Sequence, residues 1–195
     1  MLVNGSRLIG CPILSLHVGG RIATVKELII DPNNLKLIAC RVDGPMVGRE
    51  TGDILPMDSV REFSRLGMII DSVDEFVEAD EIVRIQKIIG LNFALPGLKV
   101  ETKKGTKLGK VIDFTLISDT WQTEQLIVRC PIMKALIDPE LTISRKQIVE
   151  VDDYKVIVKD EEEKIRAKAS KDFTPSFVNP FRKPDFASEA TTKQH

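Results

Sequence analysis

Histidine is nearly missing from this chain: His17 and His195 are the only two among 195 residues. A Ser-His-Asp or Cys-His arrangement would rest on His17 alone, because His195 is the final residue. His17 falls beside a glycine turn and reads as a surface or rim residue. Cysteine is also sparse. Cys11, Cys40 and Cys130 are odd in number, far apart and set among apolar neighbours, and none pairs as C-x-x-C. That spacing excludes a zinc knuckle and a disulfide framework, and it suits reduced, buried thiols in a cytoplasmic protein. Aromatics are few: Trp121, Tyr154 and eight Phe leave little to stack on bases. Charge of one sign does not dominate. Lys plus Arg is 28 and Asp plus Glu is 29, for a net charge of −1, so bulk electrostatic capture of nucleic acid is not expected and any basic patch must be local. No apolar run approaches the ~20 residues a membrane helix needs, and the opening Met1–Arg7 has no basic region leading into an apolar stretch, so neither a transmembrane segment nor a secretory leader is expected.

What the chain has is a repeat. Gly10-Cys11-Pro12-Ile13 corresponds to Gly97-Leu98-Lys99-Val100, and a glycine turn follows in each half, at Gly19-Gly20 and Gly105. Ile22–Leu28 then matches Leu108–Phe114, and Ile38-Ala39-Cys40-Arg41-Val42 matches Leu126-Ile127-Val128-Arg129-Cys130. Leu55 and Val60–Phe63 match Ile143 and Ile148–Val151, and Met68–Ile70 matches Val156–Val158. Such self-similarity marks two copies of one structural unit, with small slips confined to turns and loops.

Each copy reads as short strands. In the first, these are Ile13–Leu16, Ile22–Ile30, Leu35–Val42, Ile54–Met57, Val60–Phe63 and Met68–Ile70. Asp31-Pro32-Asn33-Asn34 is a turn with a mechanism: proline fixes φ, while Asp and Asn bond their own backbone. Short strands with Gly and Pro punctuation indicate an all-β chain of two tandem small antiparallel β-barrels, since ~80 residues per copy is too few for an immunoglobulin-sized sandwich. Between the copies, Ile82, Ile85 and Ile89 recur at helical spacing. This predicts an amphipathic helix over Glu78–Gly90, with Asp80 as N-cap and Gly90 as C-cap. The expected domains are 6–89, which includes that helix, and 90–160. Residues 161–195 are rich in Pro, Ser, Thr and charge without periodicity, and are expected to be a flexible tail.

The opening Leu8–Ile13, the glycine turn, Val25-Lys26-Glu27-Leu28-Ile29-Ile30-Asp31-Pro32 and then Leu37–Val42 resemble a PRC-barrel domain. The second copy keeps the pattern better, in Gly105-Thr106-Lys107-Leu108-Gly109-Lys110-Val111-Ile112-Asp113. The first has Ala23 where the second has Gly109, and Glu27 where it has Asp113. The resemblance spans about residues 6–160. It implies a small barrel used as an interaction module, in a family that includes a photosynthetic reaction-centre subunit domain and a domain of a ribosomal small-subunit maturation factor.

Candidate binding residues are of two kinds. Lys103, Lys104, Lys107 and Lys110, with Lys99, gather around the second hairpin, where they could touch an anionic surface. Glu101 and Asp113 interrupt them, so a solvated hairpin with lysines guarding a sheet edge is the plainer reading. The glycines of Gly105–Lys110 lack phosphate-loop spacing and read as a hairpin turn. The acidic run Asp71, Asp74, Glu75, Glu78, Asp80 and Glu81 lacks a calcium-loop pattern and reads as a connector. In the tail, Phe177, Pro180 and Phe181 lie in Ser176–Phe181, a short segment that either docks on a partner or a barrel groove or belongs to an inert tail. The expected function is a non-catalytic adaptor binding a macromolecular partner, a protein first. The alternative is an accessory role in RNA processing or ribosome maturation. No cofactor, metal or catalytic residue is expected, nor is membrane-surface contact. Partner identity and oligomeric state stay open.

Overall fold

Burial along the chain follows a period of two. Val100 and Thr102 face inward while Lys99 faces out, and Val156 and Val158 are buried between half-buried neighbours. This alternation belongs to strands with one packed face. The structure, a computed structural model, describes residues 1–48, 51–131 and 139–160. The first part of the chain forms β1 (Leu2–Asn4), a helical turn α1 (Gly5–Leu8), β2 (Pro12–Ser15), β3 (Gly20–Asp31), β4 (Lys36–Asp43), β5 (Ile54–Pro56), β6 (Glu62–Ser64) and β7 (Gly67–Ile70). Helix α2 (Val83–Gly90) follows. The second part forms β8 (Lys99–Thr102), β9 (Lys107–Ile117), β10 (Gln122–Arg129), β11 (Glu140–Ser144), β12 (Ile148–Val151) and β13 (Lys155–Val158). The described fold is mostly β.

The repeat recurs in the backbone. Strand order is β5-β4-β3-β2-β7-β6 in the first copy and β11-β10-β9-β8-β13-β12 in the second. Single hydrogen bonds recur too. The N–H of Gly10 donates to Val25 O at 2.8 Å, and that of Gly97 to Val111 O at 2.8 Å. Both glycines hold positive φ, 78° and 96°, which a side chain rarely adopts. The β3–β4 and β9–β10 turns both close on a residue at φ 57°, Leu35 and Trp121, whose N–H reaches back four residues at 2.7 Å.

Four expectations need correction. The third strand aligns at an offset of 86, not 88, because Leu28 pairs with Cys40 and Phe114 with Leu126. Arg129 is therefore the counterpart of Asp43, not of Arg41. Nor are the copies wholly antiparallel: β2 with β7 and β8 with β13 run parallel. The chain leaves through four intervening strands before returning beside its start, the long crossover a parallel pair requires. The helix begins at Val83, after Ile82 and without a side-chain cap, so Asp80 caps nothing, and it ends through Leu91 and then Asn92 at φ 49° instead of at Gly90. Lastly, Leu2–Asn4, outside both expected domains, forms β1 and pairs with β9 of the second copy.

One cluster of buried side chains runs from Val3 to Val158 through both copies, with Ile13, Ile22, Leu55, Met68, Leu116 and Leu126 wholly enclosed. A second, under α2, joins Ile85 and Ile88 to Ile29, Ala39 and Ile54. Each isoleucine so buried contributes roughly 1.5–3 kcal/mol, which is what holds an eight-residue helix too short to persist alone.

The copies meet through a reciprocal junction. Lys36 of β4 lies opposite Gln122 of β10, the N–H of Leu37 donates to Trp121 O (2.9 Å), and the N–H of Thr123 donates to Leu35 O (3.1 Å). Leu35 corresponds to Trp121 and Leu37 to Thr123, so each copy gives and accepts one equivalent bond. The Gln122 amide adds a bond to Asn34 O at 2.6 Å, and the Trp121 ring meets Phe63 of the first copy edge-on, centroids 5.7 Å apart.

Candidate functional site

The β8–β9 hairpin builds the most distinctive surface. Gly109 sits at φ 149° with no room for a Cβ, which would overlap the Arg129 carbonyl. The ladder slips between Val100 and Glu101, and this sets Lys99 directly across from Lys110. The same row continues both ways. Lys155 of β13 pairs with Lys99, and Arg129 of β10 pairs with Lys110. Four cations thus lie side by side on β13, β8, β9 and β10, with strands about 4.8 Å apart. Directly paired residues share one face of a sheet, and Lys99, Lys110 and Arg129 are all exposed. Lys107 is exposed beside them.

Like charges directly opposite destabilise a sheet, so the fold gains nothing from this row. Among the described residues, Lys99, Lys107, Lys110 and Arg129 form no salt bridge, whereas Arg41 of the first copy is held by both Asp53 and Glu27. Two carboxylates temper the row: Glu101 lies opposite Lys107 and Glu140 opposite Arg129. The Lys99, Lys107, Lys110 and Arg129 side rims a hollow of about 610 Å³ that Val100 and Val111 also line. At the far end, the Asp152 carboxylate accepts the N–H of Tyr154 and of Lys155, both at 2.8 Å. Those bonds, led by Tyr154, hold its carboxyl below the usual range. They also fix the turn that leaves Tyr154 79% exposed, with its carbonyl accepting the N–H of Lys99 at 3.2 Å.

Of the predicted lysines, the structure brings Lys107 and Lys110 into this face. Lys103 and Lys104 stand exposed at the hairpin turn, the N–H of Lys103 bonded to Val158 O. Asp113 does not interrupt the patch, because its carboxylate is bonded to the N–H and hydroxyl of Ser6 in α1. Arg129, Lys155 and Tyr154 were missed, since they arrive from strands distant in sequence. Pairing register would have found them. Phe177, Pro180 and Phe181 lie outside the described residues. His17 is exposed and its N–H donates to Asp71 O. Asp71 also pairs with Arg61 at 2.7 Å. Burial pushes the thiols of Cys11 and Cys40 up, and Cys40 packs 3.5 Å from the Met57 sulfur, so both are inert as nucleophiles.

No protein-family model matches the chain, and no curated protein is significantly similar to it in sequence. Among the described residues, no helix is long and apolar enough to cross a membrane.

Proposed function

We propose that this chain is a non-catalytic binding module of two PRC-barrel-like copies, each closed into a small barrel, whose second copy captures an anionic macromolecule on its outer face. The barrel reading is supported by the shared strand order, the parallel pair within each copy and the recurring glycines at positive φ. The observation that carries the binding reading is the cross-strand row Lys155–Lys99–Lys110–Arg129, kept against its own repulsion, whose three exposed members form no salt bridge among the described residues even though Glu140 lies opposite Arg129. An adaptor works in this way, by holding a partner and not by transforming it.

The test is anisotropy of a labelled heparin oligosaccharide, a generic polyanion. The full chain binds it, and affinity falls steeply as salt rises from about 50 to about 200 mM. The double variant Lys110→Gln/Arg129→Gln loses most of the binding and does not lower the melting temperature. Equal binding by that variant would remove the reading.

A further inference from the structure

Resting on that anion-binding reading, we infer that the ligand of this face is the sugar-phosphate backbone of single-stranded nucleic acid, with Tyr154 as the platform for one base. The row is linear. Three steps between neighbouring strands give it a length of about 14 Å. Stacked nucleotides advance ~3.4 Å each along the strand axis, so the row covers a stretch of about four nucleotides. A single small oxyanion would be met by a convergent nest, and these cations diverge along a line instead.

Tyr154 separates nucleic acid from an acidic peptide. It is the most exposed of the large hydrophobic side chains among the described residues, and it sits at the Lys155 end of the row, tied there by Lys99 and Asp152. A base offers a π-face to such a ring, which an aspartate- or glutamate-rich peptide lacks. The corresponding residue of the first copy, Leu66, is also exposed at 71%, but it is aliphatic and no cationic row begins beside it. A duplex fits poorly, because its bases are stacked on one another and offer no free face to the ring. Local charge agrees. Lys99, Lys107, Lys110, Arg129 and Lys155 outnumber the carboxylates beside them, Glu101, Glu140, Asp152 and Asp153, in a chain whose net charge is −1.

The experiment compares three labelled probes on the full chain: an oligo-uridine dodecamer, an oligo-thymidine dodecamer and an oligo-glutamate peptide of equal length. The expected result is that at least one oligonucleotide binds and the peptide does not, with log K falling against log salt at a slope of about −2 to −3. Lys110→Gln lowers that slope by about 0.7. Tyr154→Ala weakens binding about tenfold without changing the slope or the melting temperature. Peptide bound as tightly as oligonucleotide, or no effect of Tyr154→Ala, overturns the nucleic-acid assignment and leaves the anion-binding reading standing. Failure of all three probes and of heparin overturns both.

Discussion

Set the two copies side by side at one row of the ladder. In the second copy the row reads Lys155, Lys99, Lys110 and Arg129, and in the first the same positions hold Gly67, Pro12, Thr24 and Asp43. Pro12 even lacks the N–H that Lys99 uses to bond Tyr154 O. The close strand approach behind the row is kept in both copies but assigned to opposite strands. Gly109 makes room for Arg129 in the second, whereas in the first Gly44 makes room for Ala23, whose Cα would lie 2.6 Å from an added Cβ. Spacing between strands is thus held by backbone contacts, and the outward side chains are left free to diverge. One scaffold then carries two different surfaces.

The largest expected effect comes from breaking that spacing where the copies differ. Gly109→Ala forces a side chain onto the Arg129 carbonyl at a φ that alanine resists, and should cost about 4 kcal/mol in urea unfolding. The reciprocal Ala23→Gly should cost only about 1 kcal/mol. Similar losses at both sites would show that the two copies do not divide the contact as described.

At the junction, Leu37 and Thr123 are equivalent and both fully buried, but the Thr123 hydroxyl has no hydrogen-bond partner among the described residues. Leu37→Thr should destabilise by about 3 kcal/mol, through lost packing and a second buried hydroxyl. Thr123→Val keeps the shape, removes the orphan and should stabilise by about 1 kcal/mol, read as a higher melting temperature.

The acid sensitivity of a buried carboxyl should belong to the first copy. Asp31 is buried at the end of β3, where its counterpart in β9 is Ile117. Burial opposes its ionisation, but Arg84 of α2 and the N–H and amide of Asn33 outweigh that and hold its carboxyl below the ordinary value. A carboxyl depressed on folding adds stability that is present above its unfolded pKa, near 3.9, and disappears as pH falls through its lower folded value. Asp31→Asn should therefore lower stability at neutral pH by about 1 kcal/mol and flatten the pH dependence below about pH 4, followed by urea titration across pH.

The smallest effect sharpens the contrast in surfaces. Lys110→Thr gives the second copy the first copy's residue. Relief of like-charge repulsion should raise stability by about 0.5 kcal/mol while weakening polyanion binding. A clear loss of stability would mean the row has a structural task.

Much of this organisation was legible in the sequence. The copies, the succession of strands along the chain and the Asp31–Asn34 turn follow from apolar alternation and turn chemistry, and the carboxylate of Asp31 does bond Asn33 and Asn34 as that chemistry requires. What escaped depends on pairing. A slip of two residues keeps every side chain on its own face, so apolar pattern alone could not tell an offset of 88 from 86 in the third strand. That slip placed Arg129 against Arg41 and hid its position in the row. Lys155 and Tyr154 were hidden for a related reason: a parallel neighbour is set by a long crossover, which leaves no local signal. The helix start was misplaced because Asp80 has the composition of a cap without the geometry.

The paired bonds linking Leu37 to Trp121 and Thr123 to Leu35 also restrict how this chain can change length. From Val25 to Val128 the copies keep one constant offset, through both long hairpins, and the two extra residues enter only afterwards. Adding a residue to either hairpin turn would misalign a donor in one half and an acceptor in the other together. Tolerated insertions and deletions should therefore fall outside those hairpins, or arrive in matched pairs.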